Sequence, residues 1–173
     1  MIWKGPLYYT YPDYVRRALW ALCQPLWLYS PRWCWGLRCF MLRVFGAEVS
    51  QRVRIYPSSR IYQPWNLAVG SDVTIAWGTV LYCLGMVSIG ANVVISQGAH
   101  ICAGSHDIRD PSFPLLKLPV TIGSGVWIAA ESFIGPNVSV GRQAVVGARA
   151  VVVRDVPDES VVAGNPAVVI GKR

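Results

Sequence analysis

Every sixth residue across most of this chain is aliphatic. Val49, Ile55 and Ile61 form a first triplet, followed by Val69, Ile75 and Leu81, and then by Ile89, Ile95 and Ile101. After a gap come Ile122, Ile128, Ile134, Val140, Val146 and Val152. Val, Ile and Leu fill 49 of the 173 positions, so an unbroken series at this spacing does not follow from composition. Two residues before these positions runs a second column: Val53, Ser59, Val73, Thr79, Val87, Val93, Ala99, Val126, Ser132, Val138, Ala144 and Ala150. All are small or β-branched. Glycine often follows the aliphatic residue, as at Gly70, Gly90, Gly123 and Gly141. Neither the helical period nor strand alternation produces a spacing of six. Short strands joined by tight turns do, and such a coil buries its aliphatic column by stacking on copies of itself.

The pattern resembles the hexapeptide-repeat acyltransferases, whose fold is a left-handed parallel β-helix with three hexapeptides in each triangular coil. The resemblance covers roughly residues 46–170 and implies an all-β domain of about five coils over 46–173. The first three triplets begin at 49, 69 and 89, which leaves two extra residues at a corner of each early coil. The last six positions run without interruption for two coils.

Residues 1–45 have a different character. The first 48 residues carry Lys4, Arg16, Arg17, Arg32, Arg38 and Arg43 against Asp13 and Glu48, together with five of the eight tryptophans. Pro25 and Pro31 are expected to divide the segment into two short helical stretches. It reads either as a cap on the open end of the β-helix or as an interfacial element, residues 14–45, placing aromatics such as Trp27 and Trp33 and arginines at an anionic membrane surface. The uncharged run from Ala18 to Pro31 is too short and too broken to span a bilayer, and it lacks the cleavage site of a signal peptide. Five cysteines with no CxxC pair fit a reducing, cytoplasmic setting better than a disulfide framework. The net charge of +7 suggests nucleic acid, but no binding motif or aromatic-lined basic groove accompanies it, so no nucleic-acid partner is expected.

One long break interrupts the repeat, from residue 102 to 121. It holds Gly104, Ser105, His106, Asp107, Arg109, Asp110 and three prolines. Regular coils need no such insertion, and long loops on rigid scaffolds often carry function. A Gly-x-His loop followed by "PVTIGSGVWIAAESFIG" is similar to the galactoside, maltose and nodulation-type O-acetyltransferases. "MLRVFGAEV", "PWNLAVG", "VISQGAHICAGSHD" and "GNPAVVI" resemble more closely the acetyltransferases of colanic-acid and related exopolysaccharide synthesis.

The resemblance implies His106 as general base and acetyl-CoA as cosubstrate, with transfer to a saccharide or lipid-linked saccharide hydroxyl in surface polysaccharide synthesis. The chemistry suits an imidazole: a sugar hydroxyl is a poor nucleophile at neutral pH, and a group with a pKa of about 6.5 can take its proton as it attacks a thioester carbonyl. Asp107, Asp110 or a backbone carbonyl is expected to orient the ring, with Ser105 a substrate-side candidate. His100, beside an inward isoleucine, reads as structural. The resemblance further implies a homotrimer with the pantetheine arm in a groove between subunits. Matching motif positions places Trp127 beside the thioester, Ala130 and Ala148 in the groove wall, and Arg154 towards a phosphate. The family's basic C-terminal positions fall on Val168 and Gly171, leaving Lys172 and Arg173 as substitutes. A zinc enzyme on the same helix needs three histidines, and this chain has two, so no metal is expected. A non-catalytic scaffold and an acetyltransferase with a non-sugar acceptor are the rival readings.

Overall fold

The computed structural model describes residues 9–173; Lys4 and the rest of residues 1–8 lie outside them. The chain opens with two helices, α1 (Tyr11–Tyr29) and α2 (Trp35–Val44). Three coils follow: β1 (Glu48–Val49), β2 (Arg54–Ile55) and β3 (Arg60–Tyr62); β4 (Leu67–Val69), β5 (Thr74–Ile75) and β6 (Val80–Tyr82); β7 (Val87–Ile89), β8 (Val94–Ile95) and β9 (His100–Cys102). A hairpin, β10 (Gly104–His106) and β11 (Leu115–Lys117), then projects from the helix. The fourth coil is β12 (Val120–Ile122), β13 (Trp127–Ile128) and β14 (Phe133–Ile134); the fifth is β15 (Ser139–Val140), β16 (Val145–Val146) and β17 (Val151–Val152). A partial sixth coil ends in β18 (Ser160–Gly164), against which β19 (Ala167–Lys172) folds back antiparallel.

The strands stack into three parallel sheets. The first runs β1-β4-β7-β12-β15, the second β2-β5-β8-β13-β16-β18 with β19 at its end, and the third β3-β6-β9-β14-β17. Register follows the repeat: Val49 sits over Val69, Val69 over Ile89, Ile89 over Ile122 and Ile122 over Val140. All fifteen aliphatic positions are buried, and so is every member of the second column. Full burial of a Val, Leu or Ile side chain is worth about 1.5–3 kcal/mol, so the stacked column supplies the main driving force. The extra residues of the early coils lie at the corner from the third sheet to the first, where Gln63 adopts a left-handed backbone (φ 51) before the 3-10 turn Pro64–Asn66. The insertion of residues 102–121 occupies the same corner one coil later.

The corner from the first sheet to the second is the tightest. Gly70, Gly90, Gly123 and Gly141 stack there, and a Cβ built on Gly90 would lie 2.6 Å from the backbone nitrogen of Ser124. Backbone cannot yield as a side-chain tip can. Gly90→Ala is therefore expected to cost about 1–3 kcal/mol, read as a lowered melting temperature; an unchanged melt would mean that the corners have slack.

The helices seal the opening of the coil stack. Hydrogen bonds between coils run both ways: Arg54 N donates forward to Val73 O and Arg60 N to Thr79 O, whereas Asp72 N donates back to Gln51 O. In the second coil Val69 O, Ile75 O and Thr79 O accept from the coil before; their first-coil equivalents, Val49 O, Ile55 O and Ser59 O, have no preceding coil to supply a donor. Side-chain donors from the N-terminal segment take that role. Trp20 Nε1 donates to Ile61 O (2.8 Å), Trp27 Nε1 to Ser59 O (3.0 Å), Arg38 Nε to Ile55 O (2.6 Å) and Arg43 Nε to Val49 O (2.8 Å). At the far end, where N–H groups are left over, carboxylates accept them: Asp155 Oδ1 from Ser139 N and Asp158 Oδ1 from Arg142 N. The basic, tryptophan-rich start of the chain and the aspartates near its end answer opposite needs of one hydrogen-bond ladder.

The division of the N-terminal segment differs from the expectation. α1 runs through Pro25 and stops at Tyr29. The bond that Pro25 cannot donate would have gone to Ala21, which is exposed, so water can satisfy that carbonyl. The break falls at Ser30–Pro31 instead. Trp27 is also not a surface residue: it is 1% exposed and packs edge-on against Trp20. The outward side of the helices is nonetheless apolar, with Val15, Leu19, Leu22, Leu26, Trp33, Phe40 and Val44 all exposed.

Candidate active site

The hairpin is antiparallel, Gly104 opposite Lys117 and His106 opposite Leu115. Its turn is built by the two aspartates. Asp107 Oδ1 accepts from Arg109 N (2.9 Å), Asp110 Oδ1 accepts from Ser112 N (2.8 Å), and Asp107 N donates to Pro114 O (3.0 Å). The backbone N–H of Ser112 and the Ser112 side chain hold the Asp110 carboxyl below the usual carboxylate range. This turn brings Phe113, with left-handed backbone (φ 49), back over the histidine.

His106 Nδ1 lies 3.0 Å from Phe113 O, and the two rings stack in parallel with centroids 4.3 Å apart and planes 7° off parallel. A carbonyl can only accept, so Nδ1 carries the proton and Nε2 presents its lone pair. That is the tautomer a general base needs. Of the orienting groups considered, the geometry selects a backbone carbonyl; Asp107 shapes the turn rather than contacting the ring. Phe113 itself carried no signal in the sequence, because any residue type supplies a carbonyl. Ser105 lies half-buried on β10 opposite Leu116. At the base of the hairpin, Gly104 packs so closely that a Cβ there would lie 2.8 Å from Leu84 Cδ1 and 3.2 Å from Tyr82 Cε1.

The second histidine is placed differently. His100 lies half-buried on the outward face of the third sheet, edge-on to both Tyr82 and Phe133, with no partner for Nε2. Burial pulls its pKa below the ordinary imidazole value. The unfolded chain then binds the proton first, so the stability His100 allows above about pH 6.5 is lost as pH falls through that value towards the lower folded pKa. His100→Phe is expected to flatten the stability profile between about pH 7 and 5, measured by urea unfolding at several pH values. A slope that survives the substitution would assign it to another group.

The residues expected to hold the acyl donor fall on two edges. Trp127 points outward from β13, 47% exposed, with Nε1 donating to Ser96 Oγ at 3.0 Å. Ala130 and Ala148 occupy successive turns of the corner from the second sheet to the third, joined by Arg149 N to Ala130 O (2.9 Å). Glu131 and Arg149 pair beside them at 2.6 Å. Small side chains leave the backbone of this edge uncovered at Ala130 and Ala148. Arg154 is exposed on the next corner, from the third sheet to the first, the corner that carries the hairpin two coils earlier. Arg173 donates through Nη1 to Gly125 O (2.7 Å) and so sits at the corner between the first and second sheets. The structure thus groups Trp127, Ala130 and Ala148, and sets His106 and Arg154 on a neighbouring edge of the same chain.

Comparison with known proteins agrees with this architecture. Residues 119–154 match the family described as bacterial transferase hexapeptide (six repeats). The chain is 40% identical over 154 residues to an Escherichia coli protein named "Putative colanic acid biosynthesis acetyltransferase WcaF", covering 89% of this chain and 85% of that one. It is 33% identical to the galactoside O-acetyltransferase of E. coli, over 67% of this chain and 53% of that one. Among solved structures, a maltose O-acetyltransferase from Clostridium difficile superposes with a TM-score of 0.86 at 25% identity, covering 98% of this chain and 94% of that one. A galactoside acetyltransferase in complex with coenzyme A shares the fold with a TM-score of 0.81 at 23% identity, over 96% and 84% of the two chains. The chain is a left-handed parallel β-helix that belongs to the hexapeptide-repeat acetyltransferases, enzymes whose acetyl donor is acetyl-CoA.

Proposed function

We propose that this acetyltransferase transfers acetyl from acetyl-CoA to a saccharide hydroxyl in surface polysaccharide synthesis, with His106 as the general base. The observation that carries the base assignment is the Phe113 carbonyl on Nδ1, which leaves Nε2 free to accept a proton. His106 Nε2 takes the acceptor's hydroxyl proton as the oxygen bonds to the thioester carbon. The C–S bond then breaks, and the same proton passes to the departing CoA sulfur. Trp127, Ala130 and Ala148 would line the donor's path, with Arg154 offered to its phosphates. The 40% identity to the colanic acid relative supports the polysaccharide setting. Thiol release from acetyl-CoA, followed with a panel of sugars and sugar nucleotides, tests this reading. Acceptor-dependent release is expected; release with none of them would favour a scaffold or a non-sugar acceptor.

A homotrimer is part of the proposal. His106 and the Trp127–Ala148 edge lie on different corners of one chain, and a neighbouring copy would bring a loop and a donor edge together. Sedimentation equilibrium is expected to give three chains; a monomer that turns over acetyl-CoA would remove the idea.

A peripheral membrane contact is proposed from the outward apolar side of α1 and α2, flanked by Arg16, Arg17, Arg32 and Arg43. Among the described residues no helix is long and apolar enough to cross a membrane. The contact would be with the cytoplasmic face, where free thiols persist, and all five cysteines are free. Leu22→Ser with Trp33→Ser is expected to reduce co-sedimentation with anionic liposomes severalfold without loss of assembly. Equal sedimentation of the variant would end this reading.

A further inference from the structure

A groove of about 880 Å³ runs between α1 and the third sheet at its first two coils. It is lined by Arg17, Arg60, Tyr62, Gln63, Tyr82 and Leu84, among others. Its volume lies in the upper part of the ~300–1,000 Å³ range of small-molecule sites, more than one sugar ring requires. One end is anchored to the catalytic hairpin, because Tyr82 and Leu84 are the residues on which Gly104 packs, two positions before His106.

The chemistry of the lining is selective. Tyr62 and Tyr82 meet edge-to-face with centroids 5.3 Å apart, and Tyr62 is 44% exposed, so its ring can stack on a sugar face. Gln63 is only 6% exposed; its oxygen accepts from Asn66 Nδ2 at 3.3 Å, while its Nε2 donor has no acceptor. A buried amide donor without a partner is uncommon in a folded protein and marks a place where an incoming oxygen would be welcome. Arg17 and Arg60 line the groove, the Arg17 guanidinium lying over the Tyr9 ring, and no Asp or Glu lines it among the described residues. Guanidinium groups recognise carboxylate and phosphate oxygens, and a groove without opposing carboxylates does not repel them.

We infer that this groove holds the sugar units adjoining the acetylated one, so that the acceptor is an oligosaccharide bearing an anionic group rather than a free monosaccharide. The inference rests on the saccharide-acceptor reading above and specifies its substrate class. Tyr62 and Tyr82 receive the sugar faces, Arg60 and Arg17 the anionic group, and Gln63 a ring or hydroxyl oxygen.

Calorimetric titration of the full chain, in the presence of CoA, tests this with galacturonic acid, tetragalacturonate and neutral maltotetraose as probes. Tetragalacturonate is expected to bind at least about tenfold more tightly than either other probe. Arg60→Gln should lose about tenfold of that affinity while Arg60→Lys loses less, and Tyr62→Ala should reduce the advantage of four units over one. Equal affinity for one and four units, equal affinity for the neutral chain, or an unaltered Arg60→Gln variant would each overturn the proposal. Binding is read without turnover, so the two readings fail separately. Length- and charge-dependent binding with no acetylation of any saccharide would keep the groove and sink the acceptor assignment. Equal acetylation of one-unit and four-unit acceptors would do the reverse.

Discussion

Replacing His106 with alanine is expected to lower turnover by about 10²-fold or more, the range that general-base catalysis contributes. CoA affinity and melting temperature should stay close to those of the parent chain. The side chain's hydrogen bond and its ring stacking are both to Phe113, within a hairpin that projects from the helix, and it is not part of the buried core. Steady-state kinetics with a saccharide acceptor, beside calorimetry with CoA, make the measurement. Loss confined to the chemical step identifies a group acting on the transferred proton. Turnover equal to the parent's would remove His106 from the mechanism, and a matching loss of CoA affinity would make it a binding residue.

The largest effect on stability is expected at Arg38. This guanidinium is fully buried and has no carboxylate partner among the described residues. It donates to the carbonyls of Ile55, Pro31 and Arg32 and to the Ser30 hydroxyl. Those bonds tie α2, the link between the helices and the edge of the first coil into one unit. Arg38→Ala opens a cavity and leaves the buried Ile55 carbonyl without its donor, while Pro31 O keeps the Cys34 N–H and the exposed Arg32 can turn to water; a buried unsatisfied group costs about 1–3 kcal/mol and a large-to-small core change about 2–5 kcal/mol. A loss of about 3 kcal/mol or more is therefore expected, part of it recovered because a buried charge is also removed. Urea unfolding at fixed protein concentration reads it. Lysine should not rescue, because one ammonium cannot reproduce a planar fork spread over acceptors on different segments. A change below about 1 kcal/mol would mean that water replaces the guanidinium at little cost.

The helical segment shows how far local reasoning reaches. Its excess of arginine and tryptophan was plain from composition, and capping and membrane contact were both open uses for it. The fold divides the residues by position: Trp20, Trp27, Arg38 and Arg43 donate into the first coil, whereas Leu22, Leu26 and Trp33 face out. Composition does not separate Trp27 from Trp33. Only the position of each side chain relative to the coil edge does. Pro25 is a similar case, since a proline ends a helix only when the carbonyl it deprives has no other partner.

The inserted hairpin divides in the same way. The break in the repeat and the Gly-Ser-His-Asp stretch made His106 legible, because an insertion into a regular solenoid stands out against its period. The partner of Nδ1 did not stand out. An aspartate next to the histidine in sequence is drawn into its own turn by the Arg109 N–H, and the ring is oriented instead by a carbonyl seven residues on. Backbone groups are the same at every position, so their roles appear only once the chain is folded.

The period of six was enough to determine the coil, its aliphatic interior and the corner from which the hairpin grows. Each of these follows from contacts between a residue and its equivalent one coil away, and a repeat writes such contacts into the sequence. Tertiary structure decided which donors close the first coil, which aromatic rings line the groove under α1, and which nitrogen of His106 is free. These depend on segments that meet without sharing any period, such as α1 with β3 and Phe113 with His106, and no spacing along the chain encodes where they meet.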